Sequence, residues 1–215
     1  MTEHPLPPRG RYLAHEAGRL AGVSGQTIGQ WARRGYIRSS QSFEAPRVYS
    51  FQDVAEAMVV HELLDRGIDH RAIKHAIRSV QERFGSDWPL STTSLATSRG
   101  HIVNHGDGAD YDVSHRGWQQ FTPDPDDLTV IARQLQRGGW AARDLPQLSH
   151  IEVDPDRLSG RPVIRGTRVP ADLIAELATQ PGGAEEAKDG YDVTDEEIAD
   201  AVDWWQAVRA YGQAA

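Results

Sequence analysis

The stretch Leu13-Ala14-His15-Glu16-Ala17-Gly18-Arg19-Leu20-Ala21-Gly22-Val23-Ser24-Gly25-Gln26-Thr27-Ile28-Gly29-Gln30-Trp31-Ala32-Arg33-Arg34-Gly35 decides the fold of the first third of the chain. Its apolar spacing predicts a short helix through Ala21. Gly22 breaks that helix, Val23 can plug a small core, and Ser24 is a good N-cap for a second helix from about Gly25 to Arg34. Ile28 and Trp31 share one face of the second helix, while Gln26, Thr27, Gln30, Arg33 and Arg34 lie largely on the others. Gly35 ends it. Two helices joined by a Gly-Val-Ser turn form a helix-turn-helix, which sets the exposed face of its second helix in the major groove. Gln26, Thr27 and Gln30 are sized to reach base edges, since Gln can pair bidentately with adenine. Ser24, Arg33 and Arg34 suit phosphates, which position a protein without reading sequence.

Outward from this core, Tyr36-Ile37-Arg38 and Arg47-Val48-Tyr49 predict a short hairpin, a wing whose Arg38 and Arg47 would touch the DNA backbone. Ser50 with Asp53 reads as a capping box opening a helix to about Arg66, with Val54, Ala57, Met58, His61 and Leu64 as its apolar face. Asp69 caps a further helix to about Phe84. From Gly85 to about Gln120 the chain is turn-rich, with small strands expected at Leu95-Ala96-Thr97, Ile102-Val103 and Tyr111-Asp112-Val113. Pro123-Asp124-Pro125 predicts the start of a helix from about Asp126 to Arg137, followed by a linker to Ser149. Ile151-Glu152-Val153 and Pro162-Val163-Ile164 read as two strands, and Pro170 as the first turn of a helix. A short helix is expected over Ala184 to Asp189. Thr194 with Glu197 caps a last helix through about Tyr211, whose apolar face holds Ile198, Val202, Trp205 and Val208. The fold class expected is mainly α with small β elements (α+β), in three units. They are a winged helix-turn-helix over 1–84, a turn-rich region with short strands and one helix over 85–150, and a three-helix unit with a short hairpin over 151–215.

Composition bounds the function. The 215 residues are 39% hydrophobic, with 20 Gly, 12 Pro and no Cys. The lack of cysteine excludes disulfides and thiolate metal sites. No apolar run approaches the roughly 18–20 residues of a membrane span, and Met1-Thr2-Glu3-His4-Pro5 opens no signal peptide, so a soluble cytoplasmic protein is expected. The net charge of −8 divides unevenly: +3 over residues 1–84, −2 over 85–170 and −9 over 171–215. A mildly basic end can meet phosphate, whereas DNA would repel the acidic end.

Residues 12–77 resemble the DNA-binding domain of the MerR superfamily. The resemblance rests on Ala17, Leu20, Gly22-Val23-Ser24, Thr27-Ile28, Arg34-Gly35-Tyr36-Ile37, Arg47-Val48-Tyr49-Ser50, Asp53-Val54 and Leu63-Leu64-Asp65-Arg66-Gly67-Ile68. Gln30-Trp31 stands where such regulators often carry Arg-Tyr, so no base preference is implied. The long dimerising helix and cysteine ligands of many MerR regulators are missing, which disfavours a metal or drug sensor. A second run, Asp154-Pro155-Asp156-Arg157-Leu158-Ser159-Gly160-Arg161-Pro162-Val163-Ile164-Arg165-Gly166-Thr167-Arg168-Val169-Pro170, resembles the domain of unknown function 433, a family thought to dimerise. The two together resemble VapB-type antitoxins, which implies an antitoxin that neutralises a PIN-like ribonuclease toxin and binds double-stranded operator DNA to repress its own operon. A homodimer on a palindromic operator is expected, because one helix face is small for high specificity.

In the acidic tail, Trp204 and Trp205 are adjacent and about 100° apart on a helix, so one is a candidate anchor for the toxin, or simply a half-exposed Trp on a solvated face. Arg161, Arg165 and Arg168 either stabilise turns or reach into a carboxylate-rich ribonuclease site. No enzyme and no cofactor are expected: nucleophile-elbow, P-loop and dinucleotide signatures are missing. No metal is expected either. His101, His105, Asp107, Asp110, Asp112 and His115 gather in one polar stretch, but their spacing matches neither a zinc pattern nor an EF-hand loop. The alternative reading is a stand-alone MerR-like regulator whose C-terminal half binds a ligand or dimerises.

Overall fold

Local capping chemistry sets where the helices begin. In the computed structural model, which describes residues 10–92, 94–105, 109–115, 118–130, 149–154 and 157–212, α1 (Ala14–Ala21) is followed by α2 (Gly25–Arg34). Ser24 Oγ accepts the Thr27 N–H at 3.0 Å. Ser50 and Asp53 cap each other at the start of α3 (Phe51–Asp65), the Asp53 N–H donating to Ser50 Oγ and the Ser50 N–H to Asp53 Oδ2. Asp69 Oδ1 accepts the Ala72 N–H and opens α4 (His70–Phe84). A single turn, α5 (Pro89–Thr92), then lies across α3 and α4.

Five antiparallel strands follow: β1 (Leu95–Ser98), β2 (His101–His105), β3 (Asp110–Asp112), β4 (Gln119–Phe121) and β5 (Thr129–Val130), in the spatial order β4-β3-β2-β1-β5. The last unit opens with the pair β6 (Ile151–Glu152) and β7 (Val163–Ile164), with a 3-10 turn at Leu158–Gly160 between them. Three helices complete it: α6 (Ala171–Ala178), α7 (Gly183–Tyr191) and α8 (Asp195–Gly212), the last capped by Thr194 and Glu197. The protein is a mixed α+β chain. No helix among the described residues is long and apolar enough to cross a membrane.

Three expectations are corrected. Tyr36-Ile37-Arg38 does not pair with Arg47-Val48-Tyr49. Tyr36 and Ile37 plug the core instead, so Tyr49 bridges to Tyr12 and Val48 to Ser42, leaving the wing a loop closed by one bridge. The apolar face of α3 is also broader than its periodicity suggests. Val54, Ala55, Glu56, Ala57, Val59, Val60 and Leu63 are buried, while Met58, His61 and Leu64 are half-buried. α3 packs against α1 on one side and α5 on another, and a helix covered on several sides loses its clean 3.6-residue stripe. Finally, no helix begins at Asp126. Residues 125–127 turn, and Thr129 and Val130 complete the edge of the sheet against Thr97 and Ala96. The remainder of that expected helix, and residues 138–148 of the linker, lie outside the described residues.

The tail is joined to the head. The buried Tyr12 hydroxyl donates to the Gly160 carbonyl at 2.8 Å, and α8 packs on α1.

Candidate nucleic-acid interface

A recognition helix must be held rigidly while one face stays bare. Here two glycines allow the close approach. A Cβ on Gly18 would sit 2.6 Å from the Val23 carbonyl oxygen, and one on Gly25 would sit 2.8 Å from His15 Cα. Only hydrogen fits at both, so α1 and α2 meet backbone to backbone. Ile28 and Trp31 then anchor the inner face of α2, and Ala21 at the end of α1 is tied to α3 by its carbonyl, 2.9 Å from His61 Nδ1.

On the outer face Gln26, Arg33 and Arg34 are exposed, and Thr27 and Gln30 are half-buried. Thr27 Oγ1 lies 2.8 Å from Ser24 Oγ, so these two hydroxyls serve the cap and each other. One hydroxyl proton of the pair stays free to donate, and the longer outward side chains of α2 are Gln26, Gln30, Arg33 and Arg34. Arg47 lies half-buried at the base of the wing beside Tyr49. Burial, with Asp53 adding to it, holds the Tyr49 phenol above its ordinary value, against the pull of Arg47 and, more weakly, Arg33. Both cations therefore act at one place. Arg38 is paired at the surface with Asp87, its guanidinium 6.0 Å from the centre of the Trp88 ring. Sequence reading passed over Phe43, which projects from the wing and is 67% exposed. An aromatic residue in a polar loop carries no periodic signal.

A second cationic surface lies on α4. Arg71, Lys74 and Arg78 line a cleft of about 810 Å3 with Tyr36, His75 and His115. Of the polar stretch in the sheet, His105 pairs with Asp110 at 2.7 Å, and His101, Asp112 and His115 come together. Asp107 lies outside the described residues.

Of the tail residues singled out from the sequence, Arg161, Trp204 and Trp205 line one pocket, and Arg165 and Arg168 are not among its lining residues. Arg161 pairs with Asp172 at 2.6 Å on the wall of a pocket of about 300 Å3 between head and tail, and Arg165 and Arg168 are exposed. Trp204 is 2% exposed and belongs to the core, while Trp205 is half-buried at its edge.

Residues 12–80 match the family described as MerR HTH family regulatory protein. The head is a MerR-family helix-turn-helix domain. Residues 151–204 match the family described as protein of unknown function, DUF433, so this chain carries both domains. The uncharacterized HTH-type transcriptional regulators Rv1830 of Mycobacterium tuberculosis and Mb1861 of Mycobacterium bovis are each 32% identical over 76 residues. That segment is 34% of this chain and 34% of theirs, so the chain matches about a third of the length of these curated relatives. The crystal structure of Rv2018 from Mycobacterium tuberculosis has a similar fold, with a TM-score of 0.50 at 19% identity over 89% of this chain and 96% of that one.

Proposed function

We propose that the chain is a transcriptional regulator that binds duplex operator DNA as a homodimer, with α2 of each copy in the major groove. The observation that carries this is the row Gln26, Gln30 and Arg33 raised on a helix whose opposite side, Ile28 and Trp31, is locked in the core. Gln can read adenine edges and Arg33 and Arg34 can hold phosphates, while Arg47 and Phe43 of the wing extend the contact. Arg38 would have to leave Asp87 to reach DNA, so it contributes least. A labelled duplex from the region upstream of the reading frame, titrated over a salt series, tests this. Binding that weakens steeply with salt supports the reading, and failure to bind any duplex at low salt overturns it.

One observation favours the finer reading, an antitoxin. Residues 171–215 hold 11 carboxylates against 2 cations, and Glu185, Glu186, Asp189, Asp192 and Glu196 are exposed. Such a surface complements a cationic partner, and a PIN-like ribonuclease must present positive potential to its RNA. Arg165 and Arg168 are the exposed guanidinium groups that could enter its acidic site. Co-expression with the protein of the adjacent reading frame is the test. Co-purification with relief of growth arrest supports an antitoxin, and a harmless or non-binding neighbour leaves a stand-alone regulator.

A further inference from the structure

The alternation of the sheet assembles a group that linear spacing hides. Val103 is in register with Asp112 and His105 with Asp110, so His101, Val103 and His105 of β2 share a face with Asp110 and Asp112 of β3. His115, three residues beyond Asp112, folds back onto the same carboxylate. Asp112 Oδ2 lies 2.9 Å from His101 Nδ1 and 3.1 Å from His115 Nδ1, and one ligand atom from each residue falls within 4.8 Å of the others.

We propose that His101, Asp112 and His115 form a binding site for a divalent transition-metal ion of the zinc class. Ligand atoms in a tetrahedral zinc site stand about 3.4 Å apart at bond lengths of roughly 2.0–2.1 Å. The two carboxylate–imidazole separations need to lengthen by only a few tenths of an ångström to admit the ion, and the two imidazole ligand atoms lie within 4.8 Å of each other. Two imidazoles and one carboxylate suit zinc, cobalt or nickel rather than calcium or magnesium, which take oxygen ligands. Coordination through Nδ1 places the proton of each imidazole on Nε2. The other carboxylate oxygen is already oriented, since Asp112 Oδ1 accepts both the Ser114 N–H and the Ser114 hydroxyl, the outer support that ligating carboxylates need. Phe121 walls one side, its ring centre 5.0 Å from that of His101. The side chain of His115 is 65% exposed, which opens a path for the ion and a fourth position for water. His115 also borders the cleft against α4, so the ion would sit where the sheet faces the last helix of the head.

The test uses the full chain without a polyhistidine tag, titrated with Co2+ and followed by its visible absorption and by calorimetry. One ion per chain with a tetrahedral-type spectrum is expected, displaced by Zn2+. His115→Ala, at an exposed position that leaves folding intact by circular dichroism, should abolish the spectrum, as should Asp112→Asn. Ser114→Ala should weaken binding by roughly 10–100-fold, and His105→Ala should leave it unchanged. No spectrum at millimolar Co2+, or a spectrum that survives His115→Ala, overturns the proposal and leaves the cluster a hydrogen-bonded network.

Discussion

Replacing Glu56 by glutamine should stabilise the protein in a strictly pH-dependent way. Glu56 lies in the interior of α3, 2% exposed, where its Oε1 accepts the Ser91 N–H at 2.8 Å and the Ser91 hydroxyl at 3.1 Å. Burial pushes the carboxyl from 4.5 up to about 8, with the nearby Asp53 adding to the shift and the hydrogen bonds from Ser91 opposing it. Between those two values the folded chain keeps a proton that the unfolded chain has released. Stability is therefore complete below pH 4.5, falls as pH rises, and has lost the whole contribution above pH 8. Each pKa unit is worth about 1.4 kcal/mol, so the loss reaches about 3 kcal/mol at pH 7 and about 4 kcal/mol at pH 8. Glutamine keeps an acceptor oxygen for Ser91 and cannot ionise. In urea denaturation of both proteins from pH 4.5 to 8, the stability of Glu56→Gln relative to the parent should rise by about 3 kcal/mol between pH 4.5 and 7. The other titrating groups are common to both proteins and cancel. A difference that stays flat with pH refutes the reasoning, and one that falls shows that Glu56 is held as a carboxylate.

On the DNA-binding reading, Gln30→Ala should cost about 1–3 kcal/mol on the preferred duplex and relax preference at one base pair. Arg33→Ala should weaken all duplexes alike and reduce the salt slope by about 1. Fluorescence anisotropy over a salt series separates the two, and identical behaviour of both variants would place Gln30 on the backbone. Gly25→Ala sets a methyl 2.8 Å from His15 Cα and should lose about 1–3 kcal/mol in denaturation. An unchanged midpoint would show that α1 and α2 part freely. Tyr12→Phe leaves the buried Gly160 carbonyl without its donor, a cost of about 1–3 kcal/mol that limited proteolysis should register as earlier release of the tail. Equal proteolysis of variant and parent would mean that this bond does not hold the two together.

Many helix starts were legible because their signals are local. Ser24 with Thr27, Ser50 with Asp53, Asp69 with Ala72 and Thr194 with Glu197 all act across three residues, so sequence spacing fixes them before any tertiary contact forms. What was illegible depends on partners far along the chain. Tyr49 left the expected hairpin because Tyr12 offers it a backbone bridge. Thr129 and Val130 became strand because β1 had an open edge. Gln119 and Gln120 carry no apolar alternation, so β4 is visible only through its pairing with β3. On α8 the sequence suggested the row Ile198, Val202 and Trp205, whereas Ile198, Ala201 and Trp204 are buried. Helix rows at three- and four-residue steps diverge, and the choice between them belongs to α6 and α1, against which α8 packs. His101 likewise meets Asp112 through strand register, whereas His115 lies only three residues beyond Asp112 in the chain.

The way the tail is attached separates its surface from the recognition surface. Tyr12 and Glu16 from the head, and Gly160, Arg161, Asp172 and Trp204 from the tail, line the pocket where the two meet. None of Gln26, Gln30, Arg33 or Arg34 is among its lining residues. α1 therefore touches α2 through Gly18 and Gly25 on one hand, and the tail through α8 on the other, and it is the shared element. Electrostatics makes this arrangement consequential. The stretch 171–215, of net charge −9, held against the head lowers the potential that the basic residues of α2 present to phosphate. A cationic partner seated on the tail neutralises that field without covering α2. On the proposed reading, partner binding and operator binding thus reinforce each other through charge, with no change of shape required in the head.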